Sequence, residues 1–231
     1  MALEDIPTTP VLRVLSFRPR ENGSAFDAAL RTEVMPDFVA LPGLLEVHVG
    51  RRGSDDSGER VIVSVWDDDR AMRAALGDGP AEGRFHPELT TRIADEELRV
   101  VPLHAGLRHT GRGPAAVLRV FRGRADPGSS VDFRAAARTE LRRLCAQPAF
   151  SGAFFGMDES GSFVTATTWL DWSAIEAWTG GDITRSGRSF GSPLDYEGDA
   201  SHYEILPDVG HPPRASVASG WEDLVKSEVG A

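Results

Sequence analysis

The 231-residue chain has a single cysteine, Cys145, and no excess of positive charge. One thiol cannot form an internal disulfide, and the chain has no CxxC pair or Cys/His cluster suited to a structural zinc ion. A formal net charge of −10 repels phosphate backbones and anionic lipid headgroups. Nucleic acid and membrane surfaces are therefore not expected as partners.

Long apolar runs and the common catalytic motifs are missing as well. No stretch approaches the roughly 18 apolar residues that a membrane helix needs. The N-terminal residues MALEDIPTTP carry acids and prolines where a secretion signal has a basic flank and an apolar run. P-loop, GxGxxG and HExxH motifs are absent, which excludes the corresponding nucleotide-binding and zinc-protease classes. A soluble cytoplasmic protein is the expectation, and 41% apolar residues suffice for a packed core.

What the sequence does contain is a duplicated pattern: a short apolar strand that ends in tryptophan, then acidic residues, then a helix. The pattern spans Val61 to Leu76 and recurs from Val164 to Trp178, where Trp169 matches Trp66 at an offset of 103. The word VLRV begins both halves, at an offset of 106. The two halves are therefore predicted to be structural repeats.

Each half is predicted to run strand, helix, strand, strand, helix, strand. In the first half the predicted strands are Val11 to Phe17, Leu44 to Gly50, Val61 to Trp66 and Glu97 to Leu103. Apolar residues recur at helical spacing from Phe26 to Leu41, with Ser24 as the predicted N-cap and a bend at Pro36. Asp67 or Asp68 is predicted to cap the second helix. This order is the ferredoxin-like βαββαβ unit.

The repeats give a prediction for the whole chain. Residues 1–10 form a flexible lead, 11–104 the first repeat, 105–116 a glycine-rich linker, 117–207 the second repeat and 208–231 a tail. A four-stranded sheet with both helices on one face leaves its other face bare. Two such sheets can cover each other within one polypeptide, which predicts an α+β fold with an intramolecular pseudo-twofold barrel. The sequence leaves open whether the fused chain is a monomer or a homodimer.

The two tryptophans and one histidine are the first candidates for a site. Trp66 and Trp169 either line a cavity between sheet and helices, where an aromatic ring stacks on a flat substrate, or simply fill that space. His48 and Glu46 alternate on one strand and so share a face, which makes them a candidate acid–base pair. The alternative is a half-exposed edge histidine.

The remaining candidates are one more histidine and two arginines. His86 lies on a loop that either flanks a pocket or is simply solvated. Arg13 and Arg119 occupy equivalent strand positions, and each either pairs with a carboxylate or orients an anionic ligand. The run Asp67-Asp68-Asp69 is interpreted as a helix cap because consecutive carboxylates point in different directions, so no metal site is predicted.

Two short motifs suggest a family. They are the step Pro42-Gly43-Leu44-Leu45 from helix to strand, and Val65-Trp66 followed by an acidic cap and the Ala71-Met72 helix. The second half keeps Pro148-Ala149-Phe150 and Thr168-Trp169. In these features the chain resembles the antibiotic-biosynthesis-monooxygenase-like members of the dimeric α/β barrel superfamily. Members include cofactor-independent oxygenases of aromatic polyketides, haem-degrading enzymes, polyketide cyclases and proteins with no known reaction.

The resemblance does not extend to the haem-degrading set of residues. Those relatives use an asparagine on the first strand, a tryptophan ending the third, and a histidine about ten residues beyond it. Only Trp66 matches, because Ser16 and Phe17 stand near the asparagine position and Leu76 near the histidine position. Haem breakdown by that mechanism is therefore not expected.

The resemblance implies a cofactor-independent monooxygenase-like protein, active on a small flat aromatic or polyketide-like compound. His48 or His86 would act as the base, and Trp66, Trp169, Arg13 and Arg119 would bind the substrate. The alternative is a non-catalytic, stress-related barrel that holds a small apolar ligand or haem. A third possibility is a fused scaffold whose acidic exterior recruits another protein.

Overall fold

The computed structural model describes residues 9–53, 58–77, 90–108, 114–126, 130–183 and 196–207. Within them, eight strands close into one antiparallel barrel in the order β1-β3-β2-β8-β5-β7-β6-β4. The strands are β1 (Val11–Pro19), β2 (Leu44–Arg51), β3 (Arg60–Trp66), β4 (Ile93–Arg108), β5 (Val117–Ala125), β6 (Phe150–Met157), β7 (Ser162–Trp169) and β8 (Tyr196–Ile205). The helices are α1 (Gly23–Ala29), a π-helical turn (Leu30–Val34), α2 (Met35–Val39), α3 (Asp69–Leu76), α4 (Ser130–Cys145) and α5 (Trp172–Thr179). None of the described helices has the length and apolar character to cross a membrane.

The barrel consists of two βαββαβ halves with the same strand order. The first sheet runs β4-β1-β3-β2 and the second β8-β5-β7-β6, which confirms the predicted α+β class and the tandem ferredoxin-like arrangement. Two seams join the sheets. One pairs β4 with β6 from Leu103 opposite Gly156 to Arg108 opposite Gly152, and the other pairs β2 with β8 at Gly50 and Arg51.

A glycine stands at each seam, and the two occupy equivalent positions. Gly50 pairs with Val61, and Gly156 pairs with Val164. A Cβ at Gly50 would lie 2.6 Å from Cβ of Tyr203, and one at Gly156 would lie 2.5 Å from Cγ2 of Val101. Glycine therefore lets the last strand of one half pass close to the second strand of the other.

Alternation along the strands separates the barrel interior from the face under the helices. The interior is an apolar cluster to which both halves contribute, including Leu12, Val63, Leu118, Ala166 and Tyr203. The opposite strand faces pack against helices, in one cluster in the second half and in two in the first. The bare sheet faces of the two repeats thus cover each other.

The first helical segment differs from the prediction in its details. The helix begins at Gly23, so Asn22 is the N-cap, with its Oδ1 accepting from the Ala25 amide at 3.0 Å, and the prediction of Ser24 was wrong. The bend expected at Pro36 takes the form of the π-helical turn just before it, in which the Met35 amide donates to the carbonyl of Leu30. Proline has no amide hydrogen for the α-helical ladder, which explains the break there.

The last strand of the first half is longer than predicted. β4 was expected from Glu97 to Leu103, but it continues to Arg108 and takes in the first four residues of the predicted linker, 105–116. It does so because these residues add a strand beside β6 and place Ala105 and Leu107 in the core of the second half. Residues 1–8 of the predicted lead and the whole predicted tail, 208–231, lie outside the described residues.

The halves stabilise the contact between the first helix and the third strand by different means. In the first half the Arg60 guanidinium on β3 donates two hydrogen bonds to Asp27 on α1, at 2.8 and 3.1 Å, and both side chains are buried. The second half has Phe163 at the position of Arg60, and it packs on Phe133 of α4 with ring centroids 4.6 Å apart. One half therefore uses a buried ion pair where the other uses aromatic packing.

Candidate functional site

Trp66 and Trp169 are buried in the core under the helices. They are 0% and 1% exposed. Each indole nitrogen donates to a hydroxyl two residues earlier on its strand, Trp66 to Ser64 Oγ at 3.0 Å and Trp169 to Thr167 Oγ1 at 2.9 Å. Phe38 packs edge-on against the Trp66 ring. This packing favours the interpretation in which the rings fill the space between sheet and helices.

His48 and Glu46 form a close pair on β2, as the strand alternation predicts. His48 Nε2 lies 3.1 Å from Glu46 Oε1, and the two side chains are 12% and 11% exposed. Their register partners Val63 and Val65 belong to the interior cluster, so both polar side chains face into the barrel. A carboxylate in this position fixes the tautomer and the orientation of the imidazole.

An aromatic ring from the other half faces this pair. Phe154 on β6 has its ring centroid 6.0 Å from that of His48. The registers make Phe154 the equivalent of His48, and Gly152 the equivalent of Glu46. Thus the acid–base pair occurs in one half only. The matching positions of the other half carry an aromatic side chain, Phe154, and a glycine without a side chain, Gly152.

The other predicted residues lie elsewhere. Arg13 and Arg119 are buried at equivalent positions on β1 and β5, on the face toward the helices of their own halves. Burial lowers the pKa of Arg13 to about 10. The Arg119 guanidinium lies 5.4 Å from the centre of the Phe121 ring. Neither arginine is brought together with His48, and His86 lies outside the described residues.

A second histidine with an unusual environment was missed in the sequence. His202 on β8 is paired in register with Arg119, where the first half has Val100 opposite Arg13. Burial and the nearby charges of Arg119 and Arg52 lower its pKa to about 4, so it is neutral at pH 7. Trp172, which is 40% exposed, lies beside it with ring centroids 6.1 Å apart. The sequence carries no local signal for this environment, because His202 and Arg119 are 83 positions apart.

A polar cavity of about 620 Å³ opens at one end of the barrel, where no sequence pattern predicted a site. It is lined by four arginines, three carboxylates and four small residues. These are Arg52, Arg99, Arg122, Arg124, Glu59, Glu97, Asp199, Gly123, Gly198, Ser162 and Ser201. They come from both halves and from segments far apart in the chain, and none of the predicted site residues is among them.

Most charges of this cavity are already paired. Arg99 donates to Glu97 at 3.0 Å, and Arg52 lies 3.5 Å from Glu59. Glu59 also accepts from the Tyr203 hydroxyl at 2.6 Å. Burial and this hydrogen bond raise the pKa of Tyr203, so its hydroxyl remains a donor at neutral pH.

Among the described residues, no group of three or more His, Cys, Asp or Glu side chains is placed to hold a metal ion. The acidic run instead serves as the helix cap that the sequence predicts, because Asp68 Oδ1 accepts from the Ala71 amide at 2.6 Å. Asp171 caps α5 in the same way at 2.9 Å.

Comparison with known proteins finds similarity in structure and not in sequence. No family model and no curated protein sequence matches the chain. A candidate monooxygenase of Lactobacillus acidophilus superposes with a TM-score of 0.63 at 10% identity, covering 86% of this chain and 99% of that one. A candidate monooxygenase of Fusobacterium nucleatum gives 0.62 at 12% identity, covering 86% and 93%. An anthrone oxidase-like protein gives 0.52 at 12% identity, covering 90% and 97%.

These similarities span most of the chain and nearly all of each relative. They confirm the predicted fold, a dimeric α/β barrel built within one polypeptide. At such identities they establish the fold alone, because one fold carries many activities.

Proposed function

We propose that the protein is a cofactor-independent monooxygenase-like enzyme that oxidises a small flat aromatic or polyketide-like compound. His48 is its base and Glu46 orients that base. The observation that carries the proposal is the 3.1 Å contact between His48 Nε2 and Glu46 Oε1, with both side chains almost buried inside the barrel. The similarity in fold to candidate monooxygenases and to an anthrone oxidase-like protein supports it.

The pair is arranged for proton abstraction. When Nε2–H of His48 donates to Glu46, the lone pair of Nδ1 is left to accept a proton. Removing a proton from an acidic hydroxyl or methylene of the substrate gives an anion that donates electrons to O2. In the overall reaction a CH2 group and O2 become C=O and H2O, so one oxygen atom enters the substrate and the other leaves as water.

The surroundings of the pair suit a flat aromatic substrate. The Phe154 ring lies 6.0 Å from the imidazole between ring centroids, and an aromatic face stacks favourably on another ring. The interior cluster that surrounds the pair is apolar, and a site without water strengthens the interaction between the His48 cation formed and the substrate anion.

The test is oxygen consumption by the purified protein with anthrone and with dihydroxyaromatic compounds. We expect turnover by the unmodified protein and a loss of about 10²- to 10⁴-fold in kcat for His48→Ala, the range that removal of a general base produces. Glu46→Gln should lower kcat less, because the amide still contacts the imidazole. His104→Ala is the matched control, since it removes another half-buried histidine that contacts the backbone carbonyl of Met157.

Two results would contradict the proposal. One is the absence of oxygen uptake with every compound, and the other is an unchanged rate in His48→Ala. Binding of these compounds without turnover, weakened by His48→Ala, would instead support the non-catalytic barrel. A Soret band that develops on titration with haemin would support the haem-binding alternative.

A further inference from the structure

The polar cavity at the end of the barrel is distinct from the proposed base. Among the described residues, neither His48 nor Glu46 lines it. Its volume of about 620 Å³ lies within the range of roughly 300 to 1,000 Å³ that small-molecule sites occupy. Its lining is charged, which sets it apart from the apolar interior beyond it. It therefore suits a hydrophilic ligand and not a flat hydrocarbon ring.

One arginine in this cavity is buried and incompletely satisfied. Arg122 on β5 is 8% exposed, and its Nη2 donates to Ser16 Oγ on β1. Its Nε is also buried and has no acceptor among the residues that the structure describes. A buried cationic group that is short of acceptors is unfavourable, so a further acceptor where the Arg122 guanidinium lines the cavity would stabilise it.

The acidic residues of the cavity do not meet that need. Glu97 accepts from Arg99, and Glu59 accepts from Tyr203 and lies beside Arg52. Asp199 is paired with Arg122 in strand register, but it is exposed to solvent. The charges left near the cavity are thus two arginines, Arg122 and Arg124, against one solvated carboxylate, and the balance favours an anion.

The arrangement depends on the difference between the halves. Ser16 and Arg122 occupy equivalent positions, since both pair with the valine that begins the interior face of the third strand in their half. In a symmetric pair of identical chains two serines or two arginines would meet here. Two arginines would repel each other, whereas a serine leaves one guanidinium held in place and able to bind.

From this geometry we propose that the cavity binds one small hydroxylated anion, whose carboxylate or phosphate oxygen accepts from the guanidinium of Arg122 where this lines the cavity. The Ser201 hydroxyl on the lining is available for one of its hydroxyl groups, whereas Ser162 Oγ already contacts Arg124 and Ser160. A charge-assisted hydrogen bond of this kind is among the stronger polar contacts in proteins. The proposal does not depend on the oxygenase activity, because it uses none of the same residues.

The test is titration of the full chain with inorganic phosphate in one arm and with gluconate, a hydroxylated carboxylate, in the other. Binding is followed by calorimetry and by the NMR signal of the Arg122 Nε–H. We expect one ligand per chain in at least one arm, with a shift of that signal, and binding weakened by roughly tenfold or more in Arg122→Gln. The arm that binds identifies the anionic group. Arg73→Gln, which removes an exposed arginine paired with Asp69 on α3, should bind as the unmodified chain does.

The titration of the unmodified chain tests the proposed anion binding even if Arg122→Gln does not fold. If both anions leave the Arg122 Nε–H signal unshifted, or if folded Arg122→Gln binds as tightly as the unmodified chain, the proposal is wrong. An equal loss of affinity in Arg73→Gln would also overturn it, because it would show binding through general surface charge. Ser16→Ala should retain a shifted signal, since Ser16 contacts the guanidinium but is not among the residues that line the cavity.

Discussion

The two halves of the barrel share the hydrogen bond of each tryptophan and the cap of the helix that follows it, and they differ at facing positions inside the barrel. Trp66 and Trp169 make the same hydrogen bond and Asp68 and Asp171 cap equivalent helices. Inside the barrel, by contrast, His48 corresponds to Phe154. These shared contacts are made within one half, whereas beneath the first helix the buried pair of Arg60 and Asp27 corresponds to the packing of Phe163 on Phe133.

Positions inside the barrel contact the other half, so a side chain there must fit its neighbours in both halves. His48 lies next to Phe154, its own equivalent, and Arg122 is bonded to Ser16, its own equivalent. In a fused chain the two members of each pair can change separately, whereas in a homodimer one mutation changes both. Both proposed sites lie along the line where the halves meet, at pairs of equivalent positions that differ between the halves.

The largest effect is expected where the halves use different chemistry for the same contact. Asp27→Ala leaves the buried Arg60 guanidinium without its carboxylate, and we expect a loss of about 3–5 kcal/mol in the free energy of unfolding. Phe163→Ala at the matching site of the second half opens a cavity against Phe133 and should cost a similar amount, about 3–5 kcal/mol. Denaturant unfolding of both variants measures this.

A double variant sharpens the same comparison. Asp27→Leu with Arg60→Met replaces the pair by apolar groups and should recover most of the stability lost in Asp27→Ala, because neither charge is then buried. If the double variant is as unstable as Asp27→Ala, the stability lost in Asp27→Ala does not come from the unpaired charge of Arg60.

A smaller effect is expected at the two seam glycines. Gly156→Ala places a Cβ 2.5 Å from Cγ2 of Val101 and 2.8 Å from the carbonyl oxygen of Pro102, so backbone must move. We expect a loss of about 1–3 kcal/mol, the usual cost of overpacking. Gly50→Ala should cost a similar amount, because a new Cβ would lie 2.6 Å from Cβ of Tyr203, an atom that moves only with its backbone. Thermal unfolding of the two variants tests this, and a much smaller loss at one seam would show that its backbone moves aside more easily.

The smallest effect concerns the cap of α5. The Ser173 hydroxyl and the Ala174 amide donate to the Asp171 carboxylate and lower its pKa below the usual value of 3.8. A pKa lowered by folding adds stability above the unfolded value, and this stability is lost as the pH falls through the folded value. Asp171→Asn should therefore melt slightly lower than the unmodified chain at pH 7 and at the same temperature near pH 2. A difference that persists at pH 2 would contradict this explanation.

Much of the fold could be predicted from the sequence because the strands, helix caps and element order depend on local sequence signals. Strand alternation placed His48 and Glu46 on one face, and the acidic residue after Trp66 gave the cap at Asp68. The repeat gave the order of the elements. The N-cap was misassigned to Ser24 because Asn22 and Ser24 are both good caps and only the backbone distinguishes them.

The polar cavity could not be predicted, for a physical reason. Arg122 lies 106 positions from Ser16, and the two meet only because the barrel closes. Nothing in the local sequence around Arg52 or Arg99 indicates that these two arginines line the same cavity as Arg122. The extension of β4 was missed for a similar cause, since it pairs with a strand of the other half.

The unequal lengths of the two seams give the barrel a preferred way to open. Five residue pairs join β4 to β6, but only two join β2 to β8. Breathing motions should therefore part the short seam first while the long one acts as a hinge, because fewer hydrogen bonds must break there. This motion would expose the outer edge of β2, the strand that carries His48 and Glu46, while β2 stays paired with β3. A flat molecule would then enter the interior through the opened seam without unfolding of the chain.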